Sequence, residues 1–199
     1  MMSDSSASRA RLLDAAASEF TAHGLAGARV ARIASNAKLN KERIYAYFGD
    51  KERLFDAVMD QRHVEVMAAV PLDADDLPGY VGRLFDYIIS HPDLMRLAAW
   101  KQLERPLGQG GKNIGSYEHA LAPLTAARDE GRIDTTFNPV DLAVILYGLA
   151  SAWHHIFAAQ RDTESGTTDD VWSAQRLTEH REALIEAVRR LMTGTVNFD

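Results

Sequence analysis

Residues 31–59 read ARIASNAKLNKERIYAYFGDKERLFDAVM, and this stretch decides the fold. Its apolar residues recur every three or four positions, which predicts helices rather than strands. One short helix is expected over 28–36 and a second over 40–46, with Asn40 as the N-cap of the second. A longer helix follows from Asp50. Two short helices joined by a tight turn are typical of a helix-turn-helix, whose second helix enters the major groove of DNA.

The second short helix combines inward apolar residues with outward polar ones. Leu39 and Ile44 are expected to face the core, and the basic and aromatic residues around them suit contacts with phosphates and base edges. Taken singly, Lys41 and Arg43 could be solvated helix residues, and Tyr45 could pack in the core as well as contact a phosphate. The predicted DNA-binding residues are Arg29, Arg32, Asn40, Lys41, Glu42, Arg43, Tyr45, Tyr47 and Lys51.

The rest of the chain continues the helical pattern, and strand signals are nearly absent. A first helix is expected over 8–22, with Gly24 as its stop. Caps and prolines predict five more helices after the one that starts at Asp50, over 75–91, 92–104, 116–131, 138–161 and 171–192, with Pro123 kinking or breaking its helix. The predicted fold is all-α, with a three-helix helix-turn-helix DNA-binding domain over 1–54 and a second helical domain over 55–199.

Charge is distributed unevenly along the chain. Residues 1–53 carry nine Lys and Arg against six Asp and Glu, a balance of +3, whereas the remainder carries 13 against 22, a balance of −9. A mildly basic N-terminal segment followed by an acidic remainder indicates a local anion-binding surface, although solvated helical faces can look similar.

Composition also limits the cellular setting. The chain has no cysteine, which excludes a disulfide framework, a thiolate nucleophile and a cysteine-based zinc site. The N-terminus lacks the basic and apolar regions of a signal peptide, and no apolar run approaches the roughly 20 residues of a membrane span. We therefore expect a cytoplasmic protein that does not contact a membrane.

Motifs of catalysis and metal binding are absent from the sequence. There is no HExxH, GxSxG or Glu-x-x-His pattern. The Gly-rich segment 105–115 lacks the GxxxxGK[ST] spacing of a phosphate loop and reads as a flexible connection. His154 and His155 are adjacent, so on a helix they point about 100° apart and cannot easily chelate one ion. The sequence predicts no enzyme activity, no cofactor and no metal site.

Residues 9–59 resemble the DNA-binding domain of the TetR family of repressors. The family pattern is matched by Ile33-Ala34, Ile44-Tyr45, Tyr47-Phe48 and Lys51-Glu52-Arg53-Leu54, and segments 91–97, 127–134 and 138–143 resemble the effector-binding half. The resemblance implies a repressor that is released from a palindromic operator when a small-molecule effector shifts the population of its conformations. It also implies that the helical domain over 55–199 is a ligand-binding and dimerisation domain, with an effector pocket between helices four and eight.

Three positions depart from the family pattern. Lys38 stands where the turn usually has glycine, and Ala28-Arg29 replaces the usual Thr or Ser at the start of the second helix. Glu42 replaces a small residue, where a carboxylate would repel phosphates but could accept a hydrogen bond from cytosine N4. Lys38 and Glu42 leave open an alternative, a helical small-molecule-binding or scaffold protein whose DNA binding is lost or altered.

Aromatic residues in the C-terminal part are candidates for lining the effector pocket. The predicted set is Phe85, Tyr87, Met95, Trp100, Tyr117, Trp153 and His154. Packing in the helical core is the alternative for each of them.

A symmetric homodimer is expected on geometric grounds. One helix-turn-helix reads only a few base pairs, whereas two heads about 34–36 Å apart read half-sites in successive major grooves. The predicted interface lies on helices eight and nine, and burial of both helices within one chain is the alternative. Its residues are Leu146, Tyr147, Ala150, Leu177, His180, Leu184, Val188 and Leu191.

Overall fold

The structure, a computed structural model, describes residues 4–104, 114–133, 137–158 and 171–193, with the backbone alone at residue 4 and at 114–120. All regular elements in these ranges are helices, which confirms the predicted fold class. In chain order they are α1 (Asp4–Gly27), α2 (Val30–Asn36), α3 (Lys41–Phe48), α4 (Lys51–Ala69), α5 (Leu77–Ser90), α6 (Pro92–Glu104), α7 (Ile114–Asp129), α8 (Pro139–Phe157) and α9 (Ala174–Thr193).

Side-chain caps fix several helix starts where the sequence predicts them. Asn40, Asp76 and Asn138 each accept a hydrogen bond from a backbone N–H of the first turn, at 3.2, 2.8 and 2.9 Å. Two helices differ in part from expectation. α1 begins at residue 4 rather than 8; the backbone is non-helical at the predicted stop, Gly24, where φ is +66°, and a short helical segment continues to Gly27. α7 is not broken at Pro123.

Close packing divides the chain into two units. The head unit comprises residues 1–65 and 93–113, and the body unit comprises 66–92 and 114–199. The helix α4 is shared between them along the chain, and α6 lies in the head unit except for its first residue. The domain boundary after residue 54 stays a prediction.

The core of the head unit forms where helical periodicity predicts it. The fully buried side chains include Leu12, Ala16 and Phe20 of α1, Ile33 of α2, Ile44 of α3, and Leu54 and Phe55 of α4. The rings of Phe20 and Phe55 meet edge to face, with centroids 5.0 Å apart. Each such side chain contributes about 1.5–3 kcal/mol by leaving water. This shared core stabilises α2 and α3, which are too short to be helical alone.

The body unit packs α5 against α8 and α9. Gly82 lets α5 approach α9 closely, because a Cβ there would lie 2.9 Å from Ile185 Cδ1. Beside this contact, Arg181 Nε donates to Asp86 Oδ2 at 2.7 Å. The apolar seam of the three helices consists of Val81, Leu84, Phe85, Ile88, Leu142, Leu146, Ala150, Leu184 and Val188, all buried.

One helix in the described part of the chain, α8, is long and apolar enough to cross a membrane by length and composition. This was not predicted from the sequence, because α8 contains no uninterrupted run of about 20 apolar residues. Core helices satisfy the same criterion, and α8 buries Leu142, Leu146 and Trp153 within the body unit.

Candidate nucleic-acid interface

The turn between α2 and α3 keeps a tight geometry without glycine. Lys38 adopts φ +55°, in the left-handed region, and the Leu39 N–H donates to Ala34 O at 3.0 Å. A side chain in this conformation costs about 1–2 kcal/mol. The lysine therefore preserves the helix-turn-helix turn at an energetic cost.

The helix α3 presents a polar outer surface. Ile44 and Phe48 are buried against the head core, whereas Lys41, Glu42 and Arg43 are exposed. Tyr45 is 51% exposed, which places its ring outside the core. These polar side chains are therefore exposed to solvent on the outer side of α3.

A polar chain links the end of α3 to the start of α1. Arg43 Nη1 donates to the Tyr47 hydroxyl at 3.2 Å, and the same hydroxyl lies 3.2 Å from Ser5 Oγ. Arg9 of α1 places its guanidinium 5.2 Å from the centroid of the Phe48 ring. These contacts hold the flank of α3 that carries Arg43 and Tyr47.

The start of α2 is capped from another helix. Arg29, at the N-cap, makes no side-chain cap hydrogen bond; instead its backbone N–H donates to Glu19 Oε1 at 2.8 Å. Arg32 holds the same carboxylate, with Nη2 at 2.6 Å and Nε at 2.8 Å from Oε1. Glu19 thus supplies the cap that the absent Thr or Ser would have given.

The Glu19 carboxyl is buried yet charged. Burial raises its pKa, but hydrogen bonds from Arg32 and the Arg29 N–H outweigh that effect, so the pKa lies below its ordinary value. This role of Glu19 was not predicted from the sequence. The signal was present, because Glu19 follows Leu12 and Ala16 at helical spacing and therefore falls on the buried face of α1.

Lys51, predicted to contact phosphate, turns toward the protein backbone. Its Nζ donates to Ala26 O and Ala28 O, both at 3.3 Å. Ala26 lies in the last turn of α1, and Ala28 lies between α1 and α2. The ammonium group therefore ties the start of α4 to that segment.

The helix α6 contacts the end of α1 at the Gly24 kink. Trp100 Nε1 donates to Thr21 O at 3.2 Å, and a Cβ on Gly24 would lie 2.8 Å from the Trp100 ring. Glu104 Oε2 accepts hydrogen bonds from the Leu25 N–H and, at 3.2 Å, from the Ala26 N–H. Neither contact was predicted, since nothing in the local sequence of α6 marks its partner.

The predicted pocket residues fall into different parts of the chain. Met95 and Trp100 lie in the head unit, whereas Phe85, Tyr87, Trp153 and His154 lie in the body unit; Tyr117 lies outside the residues whose side chains are described. Tyr87 stacks on His91 at 3.9 Å between centroids. The set as a whole stays a prediction.

Trp153 and Phe85 meet at His180 in the body unit. The His180 ring centroid lies 4.3 Å from that of Trp153 and 5.3 Å from that of Phe85. Burial, together with the charge of Arg176, lowers the pKa of His180. Among the described residues, Trp153 Nε1 and His180 Nε2 are buried without a hydrogen-bond partner.

The predicted interface residues differ in exposure. Leu146, Ala150, Leu184 and Val188 are buried within a single chain, and Leu177, His180 and Leu191 are half-buried. Tyr147 is 47% exposed. It continues an exposed stripe of α8 that points away from the buried Leu146 by more than 90° and is formed with Val140 and Val144, which are 51% and 64% exposed.

Comparison with known proteins matches both halves of the chain. Residues 12–58 match the family model described as bacterial regulatory proteins of the tetR family, and residues 76–190 match a tetracyclin repressor-like C-terminal domain. The HTH-type transcriptional repressor SCO4008 of Streptomyces coelicolor is 38% identical over 151 residues, covering 74% of this chain and 79% of that protein.

Two further relatives extend the comparison. The HTH-type transcriptional repressor NicS of Pseudomonas putida is 33% identical over 106 residues, half of each chain. The solved structure of SCO4942 from Streptomyces coelicolor superposes with a TM-score of 0.74 at 36% identity, covering 94% of this chain and 98% of that one.

Proposed function

Because the chain belongs to the TetR family of bacterial regulatory proteins, we propose that it is a homodimeric, cytoplasmic transcriptional repressor. It binds a palindromic operator and leaves it when the body binds a small molecule, and it acts by binding rather than by catalysis. Two similar proteins are described as HTH-type transcriptional repressors. The observation that carries the proposal is the exposed outer surface of α3, flanked by cations.

Those cations are Arg29, Lys38 and Lys41. All three are exposed, and no ion pair or hydrogen bond engages their side-chain nitrogens within the described residues. Cations that are free of protein partners can neutralise phosphates and release counterions, which makes DNA affinity depend on salt. They lie on the helix-turn-helix, as phosphate contacts require.

Titration of operator DNA at several salt concentrations tests this part of the proposal. Duplexes from the region upstream of the gene are titrated with the full chain and followed by fluorescence anisotropy. Lys41→Ala is expected to weaken binding and flatten the salt dependence, whereas Arg96→Ala, an exposed cation on α6, serves as the control. Equal affinity of wild type and Lys41→Ala at all salt concentrations would contradict the assignment.

The dimer is supported by the exposed stripe of α8. Val140, Val144 and Tyr147 follow one another at helical spacing, and a Cβ on Gly148 beside them would meet open space. A contiguous exposed apolar stripe on a helix indicates an interaction surface, and a second copy with the same stripe would bury it symmetrically. Sedimentation at micromolar concentration distinguishes this dimer from the monomer of 22.0 kDa.

Effector binding in the body is supported by the polar atoms at His180. A buried indole N–H without a partner is rare in folded proteins, so Trp153 Nε1 offers a donor to a bound molecule. For release, the proposal is that effector binding displaces Trp100 and Glu104 from α1, which would free the end of α1 that precedes α2.

A further inference from the structure

Two residues of α3, Glu42 and Ala46, point most directly away from the head core. At 100° per residue, Glu42 and Ala46 point about 140° and 180° away from the mean direction of Ile44 and Phe48, which are buried. Tyr45 and Tyr47 lie on opposite flanks, each about 80° from the buried direction. If α3 lies in the major groove, Glu42 and Ala46 face the base pairs, and Tyr45 and Tyr47 face the two walls of the groove.

Two charged residues of α3 point outward, Glu42 at about 140° and Arg43 at about 120° from the buried direction, and of these two Glu42 has no partner among the described residues. Arg43 is bound to the Tyr47 hydroxyl, which directs its guanidinium to the flank. Glu42 is exposed and lies in the first turn. Ala46, one turn further on, has only a methyl group and does not shield it.

The chemistry of a carboxylate selects among base edges. An ionised glutamate can only accept hydrogen bonds, and the major groove offers donors at cytosine N4 and adenine N6. Adenine N6 lies beside the acceptor N7, which repels a carboxylate, whereas a glutamine amide pairs with both adenine atoms. Cytosine is therefore the base that Glu42 fits.

We propose that Glu42 is a specificity-determining residue that reads a cytosine in each half-site of the operator. This inference rests on the proposed function and adds the base that the recognition helix requires. The same carboxylate disfavours binding elsewhere, because it repels phosphates wherever no cytosine amine meets it. Glu42 thus reduces non-specific affinity while it supports specific affinity.

Selection from randomised duplexes tests the inference with the full chain. Wild type is expected to select palindromes with a cytosine at one position of each half-site, preferred by about 5- to 30-fold. Glu42→Gln is expected to move that preference to adenine, and Glu42→Ala to remove it. The position is exposed, so all three proteins should show the same circular dichroism and thermal unfolding.

Glu52→Gln is the matched control. It removes the same charge from an exposed position of the head, so it is expected to strengthen binding to all duplexes without changing the selected sequence. If Glu42→Gln and Glu42→Ala selected the wild-type sequence unchanged, Glu42 would not read a base and the inference would be overturned. If wild type bound no duplex, the proposed function would fail and the inference with it.

Discussion

Removal of the Glu19 carboxylate should destabilise the head unit. Glu19→Ala leaves the α2 start without its cap, at a cost of about 1 kcal/mol. It also removes charge-assisted hydrogen bonds at 2.6 and 2.8 Å from Arg32, for which about 1.5–3 kcal/mol is typical. The sum, about 2–4 kcal/mol, corresponds to a fall of roughly 5–15 °C in melting temperature for a chain of this size.

Thermal unfolding followed by circular dichroism measures this effect at pH 7. Asp14→Ala is the control, because Asp14 is an exposed α1 acid whose partner Arg62 lies 3.8 Å away, and such pairs contribute little. Glu19→Gln keeps an acceptor for the Arg29 N–H and should lose less than Glu19→Ala. A melting temperature of Glu19→Ala equal to that of Asp14→Ala would refute the reasoning.

The pH dependence provides a second check on Glu19. Its pKa is lower in the folded chain than its ordinary value, so its stabilising effect is present above the ordinary glutamate pKa of about 4.3. The effect is lost as pH falls through the lower folded-state pKa. The difference in melting temperature between wild type and Glu19→Gln should therefore shrink in acid and stay constant from pH 6 to pH 8.

Three further substitutions test the head and the body. Lys38→Gly should raise the free energy of unfolding by about 0.5–1 kcal/mol in urea titrations, because relief of the left-handed strain exceeds the added chain entropy. Lys51→Ala should lower both the melting temperature and DNA affinity, whereas a residue that contacts only phosphate would change affinity alone. Val144→Arg should yield monomers in sedimentation, while Ile156→Arg, equally exposed but off the stripe, should leave the dimer intact; dimers of both variants would contradict the interface.

Helical periodicity predicted the core of the head unit well, because the pattern that marks a buried face involves only nearby residues. Phe20, Ile33 and Ile44 fall on buried faces that the spacing alone identifies, and Asn40 caps a helix through its own next turn. These features depend on residues a few positions apart. No knowledge of the partner helix is needed to predict them.

Partners distant in sequence were not predictable in the same way. The stripe with Leu184 and Val188 indicated a buried face of α9, but it could not tell a second chain from α5 of the same chain, against which α9 packs. For Lys51, charge and position suit a phosphate and a carbonyl equally well. Trp100 was predicted to line the effector pocket of the C-terminal domain. Its hydrogen bond to Thr21, 79 positions away, could not be predicted from the neighbouring sequence.

The α1–α2 turn shows how these distant contacts determine the DNA-facing surface. Helix ends leave backbone N–H and C=O groups without partners, and in residues 25–29 three side chains from three helices satisfy them: Glu104, Lys51 and Glu19. The position of α2 therefore depends on α1, α4 and α6 together. Because Lys51 donates to the carbonyls of this segment, we expect less of the positive charge of residues 1–53 to be available to phosphates than the number of Lys and Arg suggests. Base contacts by α3 would then supply a larger share of the DNA affinity.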